Sequence, residues 1–388
     1  MKLAQRLSVI EPFYVMECAK AAAELARSPA CQDTPMIFLN IGEPDFTAPQ
    51  PVREAGERAL RLGRTQYTAA TGLTELRERI SQWYATRWGL TISPHRIVVT
   101  AGASAALQLA CLALIDPGDE VLMPDPSYPC NRHFVAAAGG IAKLLVTSSQ
   151  TRFQPDAEMV NAAWSPRTRG VLLASPSNPT GTSIETAQLQ RIVQAVRERG
   201  GVTIVDEIYL GLSYGDAPAR SALALGEDVI SINSFSKYFA MTGWRLGWLV
   251  VPEDMVQAVE RLAQNLYICP PTPAQHAALA CFEPSCLAEF EDRRLQFRAR
   301  RDHLVPALEA LGLGVPCVPD GAFYAWVDCS AHATSSWAFC ERVLHRAHVA
   351  LTPGRDFGRH DIERYVRVSF ASALSELQLA VERLRGCL

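Results

Sequence analysis

Between residues 50 and 250 the chain switches repeatedly between two hydrophobic patterns. Stretches such as 52–62, 73–87 and 185–199 carry helical patterns. Among them lie short apolar runs at 97–99, 120–123, 170–174, 202–205, 229–232 and 246–251, three to six residues each, largely β-branched or Leu. Most are bounded by turn formers, so they read as strands buried on both faces. This is the βαβ rhythm of a mostly parallel sheet. The run at 246–251 follows its predecessor too closely for a full crossover helix. It is expected to be antiparallel or reached by an unusual connection.

Outside that region the pattern differs. The segment up to about Arg27 reads as helix, with Ala19, Ala21, Ala22, Ala23 and Leu25 favouring it, and a strand is expected at 37–40. Near residue 284 the character changes again. A long, arginine-bearing helix at 289–311 precedes a β-type segment at 323–327 and a helix at 335–347. Strands near 349–351 and 364–370 and a closing helix from Ser375 complete what reads as a separate α+β unit. The expected division is a large domain at 46–284 and a small one from 1–45 and 285–388.

Composition narrows the function classes. A net charge of −3 gives no electrostatic reason for a nucleic-acid or anionic-membrane partner. No apolar stretch approaches the ~20 residues that span a bilayer, and the N-terminus has no apolar core for a secretory signal. The 11 cysteines follow no framework spacing. Free thiols and a cytoplasmic setting are therefore expected, with no metal site; Cys281 and Cys286 lack the partners that would complete a zinc site.

In open α/β sheets, ligands bind at the carboxyl ends of the strands, so the residues after each run carry the chemistry. After 97–99 come Gly102, Ala103, Ser104 and Ala105, opening a helix at 106–114. Small residues there let backbone N–H groups approach a phosphate, although tight packing uses the same residues. After 170–174 comes Ser175-Pro176-Ser177-Asn178-Pro179-Thr180-Gly181, a fixed turn that projects Asn178; an Asx turn is the plainer use. After 202–205 come Asp206 and, three residues on, Tyr209. A carboxylate at a buried strand end needs a positive partner, unless it only caps a helix. After 229–232 come Ser234, Ser236 and Lys237, with Arg245 eight residues further. A lysine among apolar and aromatic neighbours tends to a lowered pKa, which suits Schiff-base chemistry; a lone lysine is usually just solvated. Hydroxyls and an arginine nearby suit a phosphate.

Two stretches, Ser-Asn-Pro-Thr-Gly at 177–181 and Ser-Phe-Ser-Lys with Met-Thr-Gly-Trp-Arg-Leu-Gly within 234–247, closely resemble the class I aminotransferases, the pyridoxal-phosphate enzymes of fold type I. The resemblance runs from Asn40-Ile41-Gly42-Glu43-Pro44-Asp45-Phe46 to Arg367-Val368-Ser369-Phe370. It implies a large domain with a mostly parallel seven-stranded sheet flanked by helices, plus a smaller α+β domain. It also implies pyridoxal 5'-phosphate as cofactor, amino acids and 2-oxo acids as substrates, and a homodimer with shared active sites. By the same resemblance Lys237 carries the cofactor and moves the substrate proton, Asp206 pairs with the ring nitrogen, and Asn178 and Tyr209 bond the ring hydroxyl oxygen. Tyr128 stacks on the ring. The backbone of Ala103 and Ser104, the hydroxyls of Ser234 and Ser236, and Arg245 bind the phosphate. Tyr67 reaches the neighbouring subunit's phosphate site, while Arg367 and the Gly42 backbone receive the substrate carboxylate.

Substrate choice is less legible. Some aspartate-specific relatives carry a Lys at the slot of Ser104, so a neutral or aromatic amino donor with 2-oxoglutarate as acceptor is favoured over an aspartate-type enzyme. Trp244, Tyr14 and Phe13 are candidates for an apolar pocket or for core packing. Relatives of this fold also work as carbon–sulfur β-lyases, which stays open. A transcription regulator is disfavoured, because the aminotransferase pattern begins close to residue 1 and no basic stretch is present. Arg355 reads as structural, and His133, His276 and His345 as surface or helix residues.

Overall fold

The computed structural model describes residues 1–215 and 219–388. The first elements are α1 (Tyr14–Ala26), β1 (Ile37–Phe38), α2 (Gln50–Arg61), α3 (Thr74–Trp88), β2 (Ile97–Thr100), α4 (Ala103–Leu114), β3 (Glu120–Asp125) and α5 (Pro129–Ala137). Next come β4 (Ile141–Val146), α6 (Ala157–Ala163), β5 (Thr168–Ala174), α7 (Thr186–Arg197), β6 (Val202–Asp206), β7 (Ile230–Ser234), β8 (Gly247–Val250), α8 (Val256–Leu266) and α9 (Thr272–Ala278). The chain closes with α10 (Pro284–Glu309), β9 (Tyr324–Asp328), α11 (Ser336–Ala347), β10 (Val349–Ala350), β11 (Thr352–Pro353), β12 (Tyr365–Ser369) and α12 (Leu374–Arg385).

The large sheet has seven strands in the order β2-β8-β7-β6-β5-β3-β4, a fold type I core. β8 is antiparallel to both β2 and β7, the first of the two alternatives left by the short connection before 246–251, and the remaining pairs are parallel. Each apolar run became a strand. The unlisted strand is β4, an edge strand whose residues Ile141 and Val146 stay exposed. With one side unpaired and Lys143 reaching Glu120, it lacks the two-faced apolar signal. The N-terminal helix begins only at Tyr14, behind a short 3-10 turn at Gln5–Ser8, and the strand expected at 37–40 pairs only at Ile37 and Phe38. The long helix starts five residues earlier than its expected 289, at Pro284, where the missing N–H of proline is harmless.

A second, three-stranded antiparallel sheet, β11-β12-β9, carries Arg367 on its central strand. β1 pairs parallel with β10, so the Asn40–Gly42 stretch is carried to the same place from the other end of the chain. Beneath the loop after β7, the rings of Trp83, Phe235, Phe239, Trp248 and Phe282 pack on one another. Phe235 and Phe239 are fully buried on either side of Lys237, which pins the loop that carries the lysine. No helix among the described residues is long and apolar enough to cross a membrane.

Candidate active site

The carboxyl ends of β2, β5, β6 and β7 and the amino end of β8 share one edge of the large sheet. There they meet the second sheet around a cavity of about 350 Å³. Gly42, Ala103, Ser104, Tyr128, Asn178, Asp206, Tyr209, Ser234, Ser236, Lys237, Arg245 and Arg367 all line it. Tyr67 does not; it stands 82% exposed on the surface.

One end of the cavity is built for an anion. The first N–H groups of α4 have no side-chain cap, and Gly102 just before them has φ +84. A Cβ at Gly102 would lie 2.7 Å from Nη2 of Arg245, so only glycine lets the guanidinium reach this helix start. Arg245 itself sits in the left-handed region (φ 53), held by Nη1 donating to the Thr242 carbonyl at 2.9 Å. Ser234 Oγ accepts the Ser236 N–H at 3.0 Å. Both hydroxyls face the cavity.

The middle holds Lys237 and Asp206. Lys237 Nζ donates to the Gly42 carbonyl at 2.6 Å and lies 5.8 Å from the ring centroids of Tyr209 and Phe323. Burial, followed by the positive charge of Arg367, lowers its pKa to about 8. Asp206, at the end of β6, accepts one N–H from Ile208 at 3.1 Å. Burial raises its pKa to about 7, and the charge of neighbouring Glu207 pushes the same way.

At the far end Arg367 is buried. Nη1 donates to Asn178 Oδ1 at 3.0 Å and Nη2 to the Asn40 carbonyl at 2.7 Å. Its guanidinium lies 4.4 Å from the Tyr324 ring and 5.0 Å from that of Phe357. Nε has no partner among the described residues. Tyr209 and Tyr324 hydroxyls stand 2.9 Å apart. The α1 end closes the cavity with Phe13, Val15, Met16 and Ala19. Phe13 meets Tyr128 edge-on, with ring centroids 6.2 Å apart.

Trp244 packs against Gly56 of α2, and Tyr14 lies under Arg355, so of the three aromatic candidates only Phe13 reaches the cavity. Arg355 sits between Tyr14 and Trp337, a structural use. His133, His276 and His345 lie on α5, α9 and α11, away from it. Tyr324 and the α1 face were not legible as site residues: an aromatic in an apolar strand run, or alanines in a helix, read as core.

Comparison with known proteins gives this cavity its context. The family model "Aminotransferase class I and II" matches residues 34–384. A valine–pyruvate aminotransferase of Mycobacterium tuberculosis is 40% identical over 376 residues, covering 97% of this chain and 96% of that protein. This chain belongs to the class I and II aminotransferases. An aminotransferase crystal structure from M. tuberculosis superposes with a TM-score of 0.94 at 40% identity, covering 100% of this chain and 98% of that one. The aspartate aminotransferase from Thermus thermophilus with maleate gives 0.92 at 34% identity, with both chains fully covered.

As an aminotransferase, the protein uses pyridoxal 5'-phosphate and acts on amino acids and 2-oxo acids. The cavity fits that cofactor. Asp206 is a buried carboxylate with no cation in contact among the described residues, which a protonated ring nitrogen would supply. The uncapped start of α4, the two serine hydroxyls and Arg245 suit a phosphate. Lys237, with its lowered pKa, lines the same cavity.

Proposed function

We propose that this aminotransferase takes the amino group from a neutral or aromatic L-amino acid. The observation that carries the reading is the charge inventory of the cavity. Its cations are Lys237, Arg245 and Arg367, and each already faces a part of the cofactor or the substrate α-carboxylate. The wall from α1 is apolar: Phe13, Val15, Met16 and Ala19, continued by Ile41. A second carboxylate on the donor would meet no cation of this chain and would lose its hydration there. The same argument bears on the acceptor. It favours a small neutral oxo acid such as pyruvate, the acceptor in the name of the M. tuberculosis relative, over the 2-oxoglutarate expected from sequence.

The residues divide the work as follows. Arg367 and Gly42 hold the α-carboxylate, Asn178 orients Arg367, and the Cα–H bond is thereby turned toward Lys237. When bound, the cofactor supplies the electron sink for the cleaved Cα–H bond. Asp206 would keep its ring nitrogen positive, Tyr128 would cover the ring face, and Asn178 and Tyr209 would bond the ring hydroxyl oxygen. Ala103, Ser104, Ser234, Ser236 and Arg245 hold the phosphate. Lys237, as a neutral amine, would accept the Cα proton at Nζ and hold it for return. The two sheets belong to a large domain at 46–284 and a small one at 1–45 and 285–388, with the cavity between them.

A single-turnover scan tests this. Cofactor-loaded enzyme is mixed with each amino acid in turn without acceptor, and the visible cofactor band is followed. Neutral or aromatic donors are expected to bleach it with one oxo acid formed per site, and pyruvate to restore it. Bleaching by aspartate and glutamate alone would overturn the substrate reading. A band that recovers while pyruvate and ammonia accumulate would mean a carbon–sulfur lyase.

A further inference from the structure

Tyr324 was not among the residues expected from sequence, yet it lines the cavity between Tyr209 and Arg367. It lies 2.9 Å from the Tyr209 hydroxyl, and its ring carries the Arg367 guanidinium at 4.4 Å. It also crowds the substrate floor: a Cβ on Gly42 would sit 2.7 Å from the Tyr324 hydroxyl. Both phenols are buried, and burial raises both pKa values, so both keep their protons. The charged groups facing the pair are Arg367, Asp206 and Lys237.

A phenol donates one hydrogen bond. Among the described residues neither hydroxyl has any partner but the other. One proton is therefore used between them, and the other is left for whatever fills the cavity. The 2.9 Å contact allows either hydroxyl to donate; Arg367, the cation beside Tyr324, offers only donors and so gives the Tyr324 proton no acceptor on that side. The oxygen of Tyr209 is the acceptor within reach.

We propose that Tyr324 is a positioning residue: it donates to Tyr209, and so turns the Tyr209 proton into the cavity toward the cofactor's ring hydroxyl oxygen. A phenol that accepts a hydrogen bond is also a stronger donor, because the two bonds polarise each other. The ring of Tyr324, stacked on Arg367, ties that donor to the group that receives the substrate carboxylate. The inference rests on the reading of Tyr209 as a donor to the cofactor, and the experiment separates the two.

The measurement is a pH titration of the visible band of the cofactor-loaded enzyme, without substrate. Donors to the ring oxygen stabilise its ionised form and lower the pH at which the band changes. Tyr209→Phe is expected to raise that pH by about one unit, and Tyr324→Phe by about half a unit, the scale of one hydrogen bond. The double variant should match Tyr209→Phe alone, because Tyr324 acts through Tyr209. Replacing Tyr324 with 3-fluorotyrosine, a stronger donor of nearly the same size, should move the transition down, which a merely structural role would not do. If Tyr209→Phe shifts the band and neither change at 324 does, or if the shifts simply add, the role of Tyr324 is overturned and that of Tyr209 stands. If Tyr209→Phe leaves the band unmoved, the donor reading of Tyr209 fails, and the inference with it.

Discussion

Asp206 carries the sharpest test at the scale of one residue. Burial holds its pKa near 7 in the folded chain, above the ordinary carboxylate value of about 4. The folded state thus binds its proton more tightly than the unfolded one. Asp206 is harmless to the cofactor-free protein below about pH 4, and stability is lost as the pH rises toward 7. Cofactor-free Asp206→Asn is therefore expected to be more stable than the cofactor-free parent at pH 8, by on the order of a few kcal/mol. Adding cofactor should reverse that order, since only the aspartate can pair with a ring cation. Equal thermal midpoints at pH 8 without cofactor would contradict this account of the carboxyl. The sequence revealed Asp206 because a charge after a buried strand is conspicuous. It concealed Tyr324, because a tyrosine inside an apolar run is what any core contains.

Among the elements, α1 shows how a remote residue can set the shape of a pocket. Its N-cap, Phe13, offers no side-chain acceptor to the first N–H groups. Asp356 fills that role from the far end of the chain, accepting from Tyr14 N at 3.1 Å and Val15 N at 2.8 Å. A carboxylate at a helix start also meets the favourable end of the helix dipole. Since α1 supplies Phe13, Val15, Met16 and Ala19 to the cavity, the cap holds one wall in place. Asp356→Ala should weaken the docking of α1 by about 1–2 kcal/mol, the usual scale of a lost cap. The KM for the amino donor should rise several-fold with a smaller change in kcat, and amide exchange should speed up in α1. An unchanged KM together with unprotected α1 amides would show that the wall does not depend on the cap. The helix could be expected from its alanines; its cap, more than 300 residues away in sequence, could not.

For the molecule as a whole, Tyr67 points to a second copy. It is 82% exposed, close in sequence to Leu60 and Leu62, which are 59% and 61% exposed. The exposed leucines and tyrosine alternate with Arg61, Arg64 and Gln66, and such a mixed face with aromatic and arginine side chains suits an interface. A homodimer is expected by light scattering, and Tyr67→Ala should weaken cofactor affinity about tenfold, the value of one hydrogen bond to a charged group. A fully active monomer would end the shared-site reading. The sequence by itself determined the alternation of strands and helices and the polar residues that follow the strands at the cavity edge, and it narrowed β8 to an antiparallel or unusually connected strand. These are local: a buried parallel strand must be apolar on both faces, and its carboxyl end is where polar chemistry becomes possible. Only the tertiary structure decided the edge strand β4, the cap on α1, the pairing of Tyr209 with Tyr324 and the apolar wall that α1 gives the cavity. Each of these joins residues that are distant along the chain, and no spacing rule connects a side chain to a neighbour that only folding supplies.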